Sequence, residues 1–208
     1  MNNFRTEQES FWAGEFGKEY IGRNAGSDLL ASNLAFFSRA LGKASGLDSC
    51  IEFGANIGMN LRALHMLFPH QEQYAIEINP SAVAELGAIL PQDHVFHASI
   101  LEFSPERTWD LALIKGVLIH INPGYLPDVY DRLYQSTGRY LLVCEYYNPT
   151  PVAIPYRGHT ERLFKRDFCG EILDRHPDLQ LVDYGFVYQR DPNFPQDDIT
   201  WFLMEKSR

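Results

Sequence analysis

The sequence predicts an α/β fold: a Rossmann-like, mostly parallel seven-stranded sheet with an antiparallel terminal hairpin and an N-terminal helical lid. Three observations predict it. From Ser49 onward short apolar runs alternate with helical patterns, the first run ends in a glycine-bearing turn, and two β-rich runs close the chain. Residues from about Thr6 to Gly22 read as one helix, because Phe11, Trp12, Phe16 and Tyr20 recur at helical spacing. Asn24 to Gly26 break that pattern, and Ser27 or Asp28 caps a second helix carrying Leu30, Leu34, Phe37 and Leu41. Strands are expected at Cys50–Phe53, Gln73–Ile78, His94–Ala98, Leu111–Lys115 and Tyr140–Glu145. Between them Met59–Phe68, Pro80–Leu90 and Gly124–Ser136 read as helices, with Pro80 in a first turn that tolerates it. Asn148 to Gly158 holds three prolines and reads as a loop, and Thr160–Arg175 reads as a helix. The runs Leu179–Gln189 and Ile199–Glu205, joined through the turn-forming Asp191–Asp197, suit an antiparallel pair.

Bulk properties narrow the function. The 208 residues suit a single domain, 1–208, and 45% hydrophobic content fills one sizeable core. A net charge of −9 argues against a general nucleic-acid or anionic-membrane surface. Cys50, Cys144 and Cys169 lie far apart without a C-x-x-C pair, which disfavours a disulfide framework or a metal site. The first residues lack an apolar signal core and no run reaches the roughly 18 apolar residues of a span, so a soluble cytoplasmic protein is expected.

The segment from Asp48 to Gly58 carries the chemistry. An apolar run holds Glu52, and Gly54 and Gly58 then let the backbone turn tightly and approach a ligand before a helix starts. A second apolar run, Tyr74-Ala-Ile-Glu-Ile-Asn79, places Glu77 where an acid grips ribose hydroxyls. The dinucleotide fingerprint is not met, since Asn56 fills its second glycine position and Met59 directly follows Gly58. That second glycine admits a pyrophosphate. A ligand with an adenosine and no pyrophosphate fits, and S-adenosylmethionine is such a ligand.

Four stretches carry a family resemblance: Phe11 to Asn24 (FWAGEFGKEYIGRN), Ile51 to Asn60 (IEFGANIGMN), Trp109 to Pro123 (WDLALIKGVLIHINP) and Glu145 to Phe168 (EYYNPTPVAIPYRGHTERLFKRDF). They make the chain similar to the pseudaminic acid biosynthesis-associated methylases, a family of S-adenosylmethionine-dependent class I methyltransferases. The resemblance implies the methyltransferase fold and S-adenosylmethionine as donor. It also implies that Glu52 organises the methionine end. Against the wider methyltransferase pattern, Asn56 replaces a middle glycine, and Ser99 stands where an acid often follows the third strand.

The expected cofactor-binding residues are Tyr20, Arg23, Asn24, Glu52, Gly54, Asn56, Gly58, Glu77, Ile78, Ser99, Ile100 and Lys115. Ser99 and Ile100 border the adenine by position. Lys115, at a strand's carboxyl end, meets the methionine carboxylate or the acceptor, and Tyr20, Arg23 and Asn24 fold over the cofactor. His120 is the expected catalytic base, because a hydroxyl acceptor at neutral pH profits from one. In the segment 146–176, Tyr146, Tyr147, Arg157, His159, Arg162, Lys165 and Arg166 are the expected acceptor-binding residues, the arginine forks matching a carboxylate or phosphate. The expected activity is O-methylation of a small anionic metabolite, such as an acidic nonulosonic, possibly nucleotide-linked, sugar, by a monomer or homodimer without a metal. Another carboxylate or phosphonate intermediate, an NAD-dependent sugar oxidoreductase and a catalytically silent cofactor-binding partner stay open.

Overall fold

The computed structural model describes residues 4–22 and 26–207, with only the backbone at residues 159–161. Helix α1 (Glu7–Ala13) starts at Thr6 in a capping box: the Thr6 hydroxyl accepts from the Glu9 N–H while the Glu9 carboxyl accepts from the Thr6 N–H. Gly14 ends it in extended backbone and α2 (Glu15–Ile21) begins afresh. The single helix expected there is therefore two. A glycine interrupts the pattern cheaply, and at the break the carbonyls of Trp12 and Gly14 accept from Asn79 Nδ2 at 3.0 and 3.2 Å, that of Gly14 also accepting from Lys18 N. Gly17 follows so closely that an added Cβ would meet the Trp12 carbonyl oxygen at 1.9 Å. Helix α3 (Ser27–Ala40) comes next, burying Phe36, Phe37 and Ala40.

The αβ alternation follows: β1 (Ser49–Phe53), α4 (Met59–Leu67), β2 (Glu72–Glu77), α5 (Pro80–Leu86), β3 (Val95–His97), β4 (Trp109–Lys115), α6 (Leu126–Ser136) and β5 (Thr137–Glu145). Next come β6 (Val152–Tyr156), β7 (His159–Lys165), α7 (Phe168–Arg175), β8 (Leu179–Val187) and β9 (Ile199–Lys206). The sheet order is β3-β2-β1-β4-β5-β9-β8, with β1 to β5 parallel and β9 antiparallel to both β5 and β8. The strands alternate cleanly between two apolar layers. Ile51, Phe53, Ala112 and Ile114 pack with Leu126, Val129, Leu133 and Ile172 on one face, while Cys50, Leu111 and Leu113 pack with Phe36, Phe37, Leu61 and Leu64 on the other. Each fully buried Leu or Phe contributes roughly 1.5–3 kcal/mol.

Residues 152–165 depart from expectation. Where a loop and the start of a helix were predicted, β6 and β7 form an antiparallel pair. Tyr156 pairs with His159 across a two-residue turn in which Arg157 and Gly158 both have positive φ, 50° and 83°. Pro155 survives because this pair stands apart as a two-stranded sheet, so each strand is an edge. Helix α7 starts only at Phe168, where the Asp167 carboxyl accepts from Gly170 N at 2.8 Å. Among the described residues no helix is long and apolar enough to cross a membrane.

Candidate functional site

All five parallel strands end on one edge of the sheet, and the antiparallel β9 starts there. A cavity of about 680 Å³ runs along that edge, roofed by α1, α2 and the segment before β9. The turn after β1 forms its floor. Gly54 and Gly58 sit at φ 76° and 78°, and a Cβ on Gly54 would meet the Val117 side chain at 2.7 Å. Asn56 has φ 48°, a conformation asparagine tolerates better than most residues. This backbone holds the Asn56 N–H 2.8 Å from Glu77 Oε2, while the Asn79 N–H lies 2.7 Å from Oε1. The Glu77 carboxyl is thereby fixed in the wall with lone pairs to spare. Burial pushes its pKa up, against the N–H groups of Asn79, Asn56 and Ile78, which favour the charged form.

Glu52 lies deeper. It is 1% exposed, is not part of the cavity lining, and accepts from Asn60 Nδ2 at 2.6 Å, with Oε2 lacking a partner among the described residues. Burial pushes its carboxyl up to about 8, against the Asn60 hydrogen bond and the Lys115 charge. Its contact is with Asn60, which does line the cavity. Lys115 reaches the lining at the end of β4, and burial drives its pKa down against Cys144, Glu52, Asp197 and Glu145.

The turn after β4 is held by Glu145, the last residue of β5. Its carboxyl accepts from the N–H groups of Val117 and Leu118, both at 2.9 Å, and from Ile119 at 3.5 Å. Burial raises it to about 7, with these N–H groups and Lys115 opposing. The same turn carries His120. Its Nδ1 lies 2.6 Å from the Arg162 carbonyl oxygen, which can only accept, so Nδ1 bears the proton and Nε2 keeps its lone pair. The Trp12 and Tyr156 rings flank the imidazole at centroid distances of 4.6 and 5.0 Å. Burial lowers the His120 pKa to about 4.

Of the expected residues, Tyr20, Gly54, Asn56, Glu77, Ile78, Ser99, Ile100, Lys115, His120 and Arg157 line the cavity, whereas Glu52, Gly58, Tyr146, Tyr147, Arg162, Lys165 and Arg166 do not. Arg23 and Asn24 lie outside the described residues, as does the side chain of His159. In place of the helix expected from Thr160, β7 puts Arg162 and Lys165 on opposite faces, and Arg166 follows the strand. Arg162 pairs with Glu7 at 3.0 Å over the Phe11 ring, Arg166 pairs with Glu171 at 2.6 Å, and Lys165 sits 4.9 Å over Tyr146. Tyr147 is 43% exposed.

Sequence reasoning missed Glu9, Trp12, Asn33 and Gln196, all in the lining. Thr6-x-x-Glu9 reads as a capping box, which hides any second role for Glu9. Asn33, 1% exposed on the apolar stripe of α3, was a readable signal; Gln196, which donates to it at 3.1 Å, gave none. The indole N–H of Trp12 and Oε1 of Gln196 are buried without partners among the described residues. They leave one donor and one acceptor unsatisfied on residues that line the cavity.

No family model matches the chain, and no curated protein matches it in sequence. Solved structures do resemble it. The 1,6-didemethyltoxoflavin-N1-methyltransferase of Burkholderia thailandensis, with S-adenosylhomocysteine bound, superposes with a TM-score of 0.70 at 15% identity over 96% of this chain and 87% of that one. Magnesium protoporphyrin IX methyltransferase from Synechocystis, with S-adenosylmethionine bound, gives 0.67 at 13% identity over 100% of both chains. The plantazolicin methyltransferase complexed with S-adenosylhomocysteine gives 0.65 at 12% identity, covering 96% and 95%. The sheet order and these superpositions establish a Rossmann-like class I methyltransferase fold.

Proposed function

We propose that this protein is an S-adenosylmethionine-dependent methyltransferase that O-methylates a small anionic metabolite, such as an acidic nonulosonic sugar. The observation that carries the donor is Glu77. Its carboxyl is anchored by two backbone N–H groups beside a positive-φ turn, an arrangement suited to a pair of ribose hydroxyls. The neighbours with bound donor or its product support the same reading. When bound, the donor supplies an electrophilic methyl group. Glu77 would hold its ribose, the turn from Gly54 to Gly58 its backbone-facing side, and Lys115 with Gln196 its charged tail.

The residues around His120 then divide the remaining work. Trp12 and Tyr156 exclude water from the imidazole, and Glu145 fixes the turn on which it rides. Nε2 of the neutral ring accepts the hydroxyl proton of the acceptor. A base with a pKa near 4 is weaker than ideal at neutral pH, so its contribution belongs at the low end of the usual range, about 10²-fold. Among the described side chains of the 146–176 segment, Arg157 is the cation that reaches the lining, and it supports an anionic acceptor. The acidic sugar rests on the resemblance of the four sequence stretches. A second reading, a flat heteroaromatic acceptor, is favoured by the aromatic frame of Trp12, Phe16, Tyr20 and Tyr156 around the site. Turnover decides the matter. Purified protein is incubated with S-adenosylmethionine and either free nonulosonic acids or planar heteroaromatics, and S-adenosylhomocysteine formation is followed by mass spectrometry. Acceptor-dependent product with the sugar acids supports the first reading; product only with heteroaromatics replaces it.

A further inference from the structure

His120 follows β4, on one side of β2, and the wall at the end of β3 lies on the other. A donor held at Glu77 with its methyl towards His120 would turn its nucleobase towards β3. At the end of β3 the wall is made by Ser99, Ile100 and Leu101, with Ile78 just after β2, and three of these four side chains are apolar. The acid in this part of the wall does not come from the sheet. It is Glu9 of α1, 6% exposed and in the lining, whose Oε1 accepts from the Ser99 hydroxyl, with Oε2 accepting from Thr6 N at 2.8 Å and Thr6 Oγ1 at 3.2 Å. Ser99 Oγ in turn accepts from Leu101 N at 3.1 Å, so the carboxyl is oriented from both sides. Arg5 ties the same segment down by donating to the Leu101 carbonyl at 3.3 Å.

We infer that Glu9 is a specificity-determining residue of the donor site, its carboxylate accepting a hydrogen bond from the exocyclic amino group of the adenine. The inference rests on the donor reading above. A carboxylate offers about four lone-pair positions, three of which are taken, leaving one on Oε1. An adenine presents a donor there. A hypoxanthine presents a carbonyl oxygen, which a carboxylate repels. The roof helix thus supplies the acid that the strand lacks at Ser99, and it makes recognition of the base depend on α1 being docked.

The test is a comparison of S-adenosylhomocysteine with S-inosylhomocysteine by calorimetry, in wild type, Glu9→Ala and Thr6→Ala. Thr6→Ala breaks the same capping box but leaves the carboxylate, so it controls for loosening of α1. Wild type should prefer the adenosine ligand by about 10- to 100-fold, the weight of one charge-assisted hydrogen bond. That ratio should fall to within about threefold in Glu9→Ala and persist in Thr6→Ala, whatever happens to absolute affinity. A ratio that survives in Glu9→Ala, or is absent in wild type, overturns the assignment. Wild type binding neither ligand would instead remove the methyl-donor reading, and this assignment with it.

Discussion

The two ends of the cavity are built differently. Around β1 and β2 the wall is backbone: positive-φ turns, N–H groups aimed at Glu77, and strands paired on both sides. Around His120 the wall is assembled from elements foreign to the main sheet, namely α1, α2 and the β6–β7 hairpin. These are joined by side-chain contacts such as Arg162–Glu7, Phe16–Tyr156 and Trp12–His120. Backbone hydrogen bonds between paired strands leave little room for variation. Aromatic and ion-pair contacts repack readily. Under the proposed function this division would set a donor site of fixed form beside an adjustable acceptor site, and the junction between the two ends is Glu145.

Breaking the junction should therefore have the largest effect. Glu145→Ala leaves three N–H groups, those of Leu118 and Ile119 buried, without their acceptor and should destabilise the protein by about 3 kcal/mol, read from chemical denaturation. A loss under about 1 kcal/mol would mean that the turn holds itself. His120→Ala separates the halves more finely: turnover should drop about 10²-fold while donor affinity stays within about twofold.

The pH dependence of His120 has a definite sign. Its pKa is lowered from 6.5 to about 4, so between these values the unfolded chain binds a proton that the native protein refuses. This contribution is complete above pH 6.5 and is lost as pH falls towards 4, amounting to roughly 3 kcal/mol. His120→Ala should flatten that part of the stability profile; an unchanged slope would assign it to other groups. On the acceptor side, Arg157→Ala should raise the acceptor KM by roughly 3- to 10-fold, the weight of one exposed charge-assisted contact. The smallest effect belongs to Lys165→Ala, whose ammonium is spent on the Tyr146 ring, and KM should move by less than about twofold. A larger change there would restore the cationic segment as an acceptor cradle.

The same division governs how much could be read from the sequence. The sheet was legible from Ser49 to Glu145 because each βαβ unit states its own period, and the terminal pair β8–β9 was legible from its β-rich runs. The tight turn at Gly54 and Gly58 and the place of Glu77 at the end of β2 were legible because both depend on neighbours in the chain. Residues 152–165 were not. Their hairpin turns on Arg157-Gly158 rather than an Asn-Gly pair, Pro155 argues against a strand, and Glu161 to Arg166 imitates a helix face. Glu9 and Gln196 were hidden for another reason: they reach the cavity only through long-range packing, Glu9 meeting Ser99 and Gln196 meeting Asn33.

In the proposed function the backbone-built end of the cavity holds the donor through Glu77. Calorimetric titration of S-adenosylhomocysteine into wild type and Glu77→Ala tests it most directly. One-to-one binding by wild type should weaken by about 1–3 kcal/mol in the variant, as two hydroxyl–carboxylate hydrogen bonds are lost. Equal affinity in the two proteins, with both correctly folded, would contradict the claim and take the ribose away from this carboxyl.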